Sequence, residues 1–181
     1  MYMLKQYDNF FPPEEIKTIN EYLTRPKWSF NGGGSYLKDD NFTSHFWHMD
    51  GLEKEDYFGK TLWEFVRKQC FGFDKKYLLT NTGYKNVELV RCYANGQTAG
   101  QHGVPHTDDG DITVLFFPNQ WKHYWGGHLH LATDNEIDRI VEYKYNRLVV
   151  FDANVEHYST APVSSYGGLR MSLAWKVKVN E

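Results

Sequence analysis

His106 and Asp108, separated by a single threonine, are the residues whose types and spacing most directly suggest chemistry. An extended backbone projects residues i and i+2 to the same side, so both side chains can reach neighbouring positions on one ion. His157, much further along the chain, offers a third ligand. Two imidazoles and one carboxylate on a single face leave coordination positions open for substrate and oxygen, which suits ferrous iron in oxygen chemistry. Zinc favours closed or hydrolytic sites instead. An H-x-D pair alone is common by chance, but here Arg170 follows His157 at the start of the last strand-like segment. A guanidinium grips a carboxylate through two parallel bonds, so Arg170 is the expected anchor for the distal carboxylate of an acidic co-substrate.

Other residues compete for these roles. Arg91 is the rival anchor, and Asp109 and Asp111 are rival carboxylates, although neither has the i+2 relation to His106 and both are expected to shape the turn. His128 and His130 form a second i, i+2 pair, as in cupin-type metal sites. Those sites need a glutamate at closer spacing than Glu136 and a leading glycine that is missing here. His102 could join His106 only on a helix, which Gly103 and Pro105 oppose, so it is expected in a loop. His45, His48 and His123 have no partner in sequence and are read as polar or packing residues. Of the cluster Trp121, Tyr124 and Trp125, the last is assigned to packing and the other two are left open between packing and a substrate wall.

The elements that must position these groups are mostly strands. Beyond residue 85, short runs rich in valine, leucine and aromatics alternate with turn residues, the pattern of a β sandwich or barrel. The spacing predicts strands over Val87–Ala94, Ile112–Phe117, His128–Ala132, Arg147–Phe151 and Leu169–Val179. In the last of these, Arg170, Ser172, Ala174 and Lys176 share one face, and Met171, Leu173, Trp175 and Val177 the other. Upstream, Pro12-Pro13-Glu14-Glu15 reads as a helix entry followed by an apolar face of Ile16, Ile19 and Leu23. A second helix is expected from about Asp56 to Cys70, with Gly59 weakening its start. Between them, Asn31–Asp50 reads as a long surface loop and a candidate lid. Apolar faces need partners, so both helices are expected on the outside of the sheet that carries the last strand, with Arg170 and Ser172 pointing into the barrel.

Composition limits what these elements can belong to. A chain of 181 residues fits one domain with its own core, here a helical support over about 1–80 and a β core over about 85–179. Aromatics at 17% favour sheets. A net charge of -3 and the lack of a dense Lys/Arg run give no support for nucleic-acid binding, and no segment is apolar enough to suggest a membrane span. Cys70 and Cys92 are too few for a disulfide scaffold or a thiolate metal site, so a reducing, cytoplasmic setting is expected. Oligomeric state is not legible.

With these residues in view, 93–176 resembles the catalytic core of the prolyl-4-hydroxylase-like branch of the Fe(II)/2-oxoglutarate-dependent dioxygenases. The matching segments run in order: Tyr93-Ala94-Asn95-Gly96, His106-Thr107-Asp108, Thr113 in a strand ending Phe117-Pro118-Asn119, and Trp125-Gly126-Gly127. Asn146-Arg147-Leu148-Val149-Val150-Phe151 follows, then His157 with Ala161-Pro162-Val163, and Leu169-Arg170-Met171-Ser172. The resemblance implies a double-stranded β-helix, or jelly-roll, with Fe(II) on His106, Asp108 and His157. It implies 2-oxoglutarate held by Arg170 with Tyr93, Thr113 and Ser172 nearby. O2 would be consumed, ascorbate would serve as reductant, and succinate and CO2 would leave with the hydroxylated product. A peptidyl proline is the first expected substrate and a small molecule or free amino acid the second; a non-catalytic binding module is the reading from a different class. With Asp108 present, hydroxylation is expected over halogenation. Two departures stand out: Phe117 replaces a tyrosine that often bonds the co-substrate, with Ser172 or Tyr93 as possible substitutes, and Ser164–Gly168 lengthens the link between His157 and Arg170.

Overall fold

A computed structural model describes residues 2–30, 46–49, 57–72, 86–133 and 136–180. Among them the elements run in the order β1 (Leu4–Asp8), α1 (Pro13–Leu23), β2 (Ser29–Phe30), β3 (Trp47–Met49), a π-helical turn (Phe58–Leu62), α2 (Trp63–Phe71) and β4 (Val87–Gln97). They continue with β5 (Ile112–Phe117), a 3₁₀ turn (His123–Trp125), β6 (Leu129–Thr133), β7 (Glu136–Val141), β8 (Arg147–Asp152), β9 (Glu156–Ser159) and β10 (Arg170–Val179).

Seven strands form one antiparallel sheet in the order β1-β8-β5-β10-β4-β3-β2, and three form a second in the order β7-β6-β9. Neighbours that are distant in sequence, such as β4 beside β10 and β5 beside β8, make this the jelly-roll arrangement. Two apolar clusters fill it. Phe117, Val149 and Phe151 meet Leu129, Leu131 and Val141 between the sheets. On the other face of the large sheet, Val114, Phe116, Val150, Leu173 and Trp175 meet Ile16, Ile19 and Leu23 of α1 and Leu62, Val66 and Cys70 of the second helical segment. The indole Nε1–H of Trp175 also donates to the Phe58 carbonyl at 3.3 Å.

The helix expected from about Asp56 is described from Phe58 and begins as a π turn that includes the buried Gly59; Asp56 lies outside the described residues. The expected loop Asn31–Asp50 is corrected at one end, because Trp47–Met49 pairs with β4 through Trp47↔Gly96, His48↔Asn95 and Met49↔Ala94. Three residues are too short for a period-2 signal to register. Residues 31–45 and 50, and with them the candidate lid, lie outside the described residues. His157 follows β8, as its spacing suggested, and sits within a further short strand, β9.

Candidate active site

A β-bridge and the turn beside it bring the metal-ligand candidates together. His106 and His157 face each other across a two-bond β-bridge, with the His106 N–H to the His157 carbonyl at 3.1 Å and the reverse bond at 2.9 Å. The Asp108 N–H donates to the Ala153 carbonyl at 2.9 Å, which fixes the turn beside that bridge. The potential ligand atoms of His106, Asp108 and His157 all lie within 4.8 Å of one another, and this trio is the one such cluster found among the described residues.

Each imidazole is oriented by its own backbone. His106 Nδ1 lies 2.8 Å from the Val104 carbonyl and His157 Nδ1 lies 2.9 Å from the Val155 carbonyl. A carbonyl can only accept, so each Nδ1 carries the proton and each Nε2 keeps a lone pair for a metal. Those Nε2 atoms stand 3.7 Å from Asp108 Oδ1 and 3.2 Å from Asp108 Oδ2 respectively. Ligands about 2.1 Å from one ion and mutually perpendicular would be about 3 Å apart, so small side-chain adjustments suffice. Burial and the neighbouring His157 hold the His106 ring down to about 4, in its neutral, ligating form at neutral pH. Burial alone would raise the Asp108 carboxyl, but the Lys176 ammonium and His157 outweigh it and hold the group well below the usual carboxylate range. The donor set therefore fits a divalent ion that accepts imidazole and carboxylate.

Arg170, at the head of β10, is 1% exposed. Its Nε donates to the Gly127 carbonyl at 2.7 Å and its Nη1 to Gln97 Oε1 at 2.8 Å. The guanidinium lies 4.8 Å above the Tyr143 ring and 5.7 Å from that of Phe117. Burial pulls it down to about 10, partly opposed by Tyr143, so it is a cation at neutral pH. Among the described residues no carboxylate pairs with it. A buried, oriented cation without a counter-ion is poised for an anionic ligand.

Gly127 makes this arrangement possible. Its φ is +72°, and a Cβ there would lie 3.0 Å from both Cδ and Nε of Arg170. Gln97 sits opposite Arg170 in the β4–β10 register, and its Oε1 also accepts from Ser159 Oγ at 2.8 Å. Tyr143 stacks on Phe117 with ring centroids 4.5 Å apart, and its hydroxyl lies 2.6 Å from the Met171 carbonyl and 2.8 Å from Asn119 Oδ1. The phenol beside Phe117 is thus Tyr143, which sequence reasoning passed over. Its signal was faint, because an aromatic two residues past β7 looks like any core residue.

Thr113 is fully buried and donates to Asp108 Oδ2 at 2.6 Å, while Tyr93 lies beneath two cations, Lys176 and Arg91, at 5.4 and 5.1 Å from its ring centre. Ser172 is half-buried, in register with Asn95 and two residues beyond Arg170. Arg91 pairs with Asp109 at 3.1 Å, and both side chains are more than half exposed. His128 Nδ1 accepts the Tyr143 N–H and His130 stacks on Tyr158, away from the trio. His102 accepts the Ala161 N–H, as a loop residue would. His48, read from sequence as a polar or packing residue, bonds Asn95 at 2.8 Å and faces Tyr93, so β3 extends the wall of the site. Trp121 packs against Tyr143, Trp125 and Tyr166, whereas Tyr124 is 56% exposed.

Comparison with known proteins agrees with this geometry. Residues 89–175 match the model of the 2OG-Fe(II) oxygenase superfamily. No curated protein sequence matches the chain. An oxidoreductase of the 2OG-Fe(II) oxygenase family from Burkholderia pseudomallei superposes with a TM-score of 0.69 at 12% identity, covering 99% of this chain and 86% of the other. A Trichoplax adhaerens prolyl hydroxylase, solved with a peptide fragment of the hypoxia inducible factor oxygen degradation domain, gives 0.61 at 17%, covering 95% and 82%. HygX from Streptomyces hygroscopicus, solved with nickel, 2-oxoglutarate and hygromycin B, gives 0.64 at 9%, covering 98% and 83%. At these identities the structural likenesses show the fold.

Proposed function

We infer that the chain belongs, through residues 89–175, to the 2OG-Fe(II) oxygenase superfamily, and that it hydroxylates an unactivated C–H bond of a peptide, with a prolyl side chain as the leading target. Fe(II) and 2-oxoglutarate are the metal and co-substrate of that superfamily. The observation that carries the reading is the pairing of two features within one barrel. These are a trio of oriented donors, His106, Asp108 and His157, and a buried guanidinium, Arg170, that meets no carboxylate among the described residues.

In this reading the trio holds Fe(II), which when bound couples oxidative decarboxylation of 2-oxoglutarate to insertion of one oxygen atom from O2 into the substrate. The chain's own residues do the positioning. Val104 and Val155 carbonyls hold the Nδ1 protons so that both Nε2 atoms face the ion, and Thr113 fixes the carboxylate of Asp108. Arg170, braced by Gly127 and Gln97, receives the far carboxylate of 2-oxoglutarate, with Ser172 beside it on the strand. Tyr93 and His48 form the wall between the metal and the opening past His106, whose side chain is 31% exposed. Cys70 and Cys92 are both buried and no disulfide joins them, which supports a reducing cytoplasmic setting that keeps iron ferrous. We propose that residues 1–181 act as one domain, the helices bracing the large sheet from outside.

A small-molecule substrate is the second reading, supported by the likeness to HygX. The test is succinate formation from 2-oxoglutarate with Fe(II), screened over proline-containing peptides, free amino acids and aminoglycosides. Mass spectrometry then identifies which compound gains one oxygen atom. Iron-dependent succinate stimulated by a peptide supports the first reading, and stimulation by a small molecule alone supports the second. No iron-dependent succinate with any of them refutes the oxygenase reading and leaves the binding module.

A further inference from the structure

Lys176 is a buried cation that the proposed chemistry does not use. It lies on the inward face of β10, 1% exposed, with its Nζ against Asp108 Oδ2 and 3.5 Å from Thr113 Oγ1. Oδ2 thus accepts from Thr113 and Lys176 and lies 3.2 Å from His157 Nε2, while Oδ1 lies 3.7 Å from His106 Nε2. The other charged side chain at Tyr93, Arg91, is directed to solvent and paired with Asp109. Lys176 is therefore the one fixed, buried positive charge found touching the trio among the described residues.

We propose that Lys176 tunes the site by charge: it weakens binding of a bare divalent cation and strengthens binding of the dianionic co-substrate to the metal-loaded site. This rests on the oxygenase reading above. Without metal, the ammonium neutralises the only carboxylate of the trio, so an incoming cation meets a site whose charges already cancel. A divalent cation beside a fixed ammonium is repelled, and a dianion beside it is attracted. The two effects have opposite signs and arise from one atom. In the ternary complex they largely offset, so Lys176 favours loading with metal and co-substrate together over metal alone. Thr113 keeps its bond to Oδ2 throughout and holds the carboxylate in place by itself if the lysine is removed.

A positioning lysine that only aimed Asp108 behaves differently, since its loss weakens both bindings together. Two substitutions separate the cases. Lys176→Met removes charge and bond, while Lys176→Gln removes the charge and can still donate to Oδ2. Mn(II) titration followed by the EPR signal of the free ion reads metal affinity of the whole chain, and calorimetric titration of 2-oxoglutarate into Mn(II)-saturated protein reads co-substrate affinity. Both are run at mildly alkaline pH, with circular dichroism to confirm folding.

Both variants are expected to bind Mn(II) at least about tenfold tighter and 2-oxoglutarate at least about threefold more weakly than the unaltered chain. If Lys176→Met does not fold, Lys176→Gln alone carries the comparison. Weaker binding of both ligands, or no change in either, overturns charge tuning in favour of a structural lysine. The unaltered chain serves as the control for the underlying reading. If it binds neither Mn(II) nor 2-oxoglutarate, the oxygenase reading fails and the role of Lys176 falls with it.

Discussion

Replacing Arg170 by lysine isolates geometry from charge at the proposed co-substrate anchor. The guanidinium uses Nε on Gly127 and Nη1 on Gln97 to hold its plane in the barrel, which leaves the remaining edge for a ligand carboxylate. One ammonium cannot satisfy the Gly127 carbonyl and Gln97 Oε1 and still present a planar pair of donors. A charge-assisted hydrogen bond contributes about 1.5–3 kcal/mol, so losing one to 2-oxoglutarate weakens its binding by about 10- to 150-fold. The assay is titration of 2-oxoglutarate against iron-dependent succinate formation, with direct binding to the Mn(II)-loaded protein as a check. KM for 2-oxoglutarate should rise by that factor while kcat at saturation falls less. Arg91→Lys should change KM less than twofold, since Arg91 is at the surface with Asp109. A larger KM shift in the Arg91 variant would refute the choice of anchor.

Three other outcomes are expected. Asp108→Ala abolishes succinate formation and also destabilises the metal-free chain by about 3 kcal/mol in chemical denaturation, because it leaves Lys176 buried without its partner; unchanged stability contradicts that pairing. Gly127→Ala costs about 1–2 kcal/mol and weakens 2-oxoglutarate binding, since the new methyl group meets Arg170 on a backbone with φ +72°; thermal denaturation and a binding titration check both. The Arg147 bond, with Lys144 adding to it, depresses Asp8 to about 2. A depressed carboxylate stabilises above its unfolded value near 4, and that contribution disappears as pH falls through about 2. Discounted for its exposed position, Asp8→Asn should cost about 1 kcal/mol at pH 7 and nothing below about pH 2, read from denaturation midpoints across pH.

The stability prediction for Asp108 shows where sequence reasoning reached its limit. The i, i+2 spacing of His106 and Asp108 was enough to place both on one ion, but spacing carries no depth, and the Asp108 side chain is 2% exposed and tied to a lysine on β10. Lys176 was legible as an inward residue from the alternation of Arg170, Ser172 and Ala174, yet its partner depends on β10 lying beside β5. The long strands announced themselves through valine and aromatic runs, and Ile112–Phe117 has the bounds that the sequence suggested. Short strands did not: β3 and β9 have three and four residues, and their pairing with β4 and β6 holds them in place. Gln97, Tyr143 and Asn119 brace Arg170 and its strand through contacts between distant segments, and no local pattern marks them.

A crystal structure with Mn(II) and 2-oxoglutarate bound would place the metal and the co-substrate against these residues. One ion ligated by His106, Asp108 and His157 is expected, with the far carboxylate of 2-oxoglutarate paired with Arg170. Metal at His128 and His130, or the carboxylate on Arg91, would contradict it.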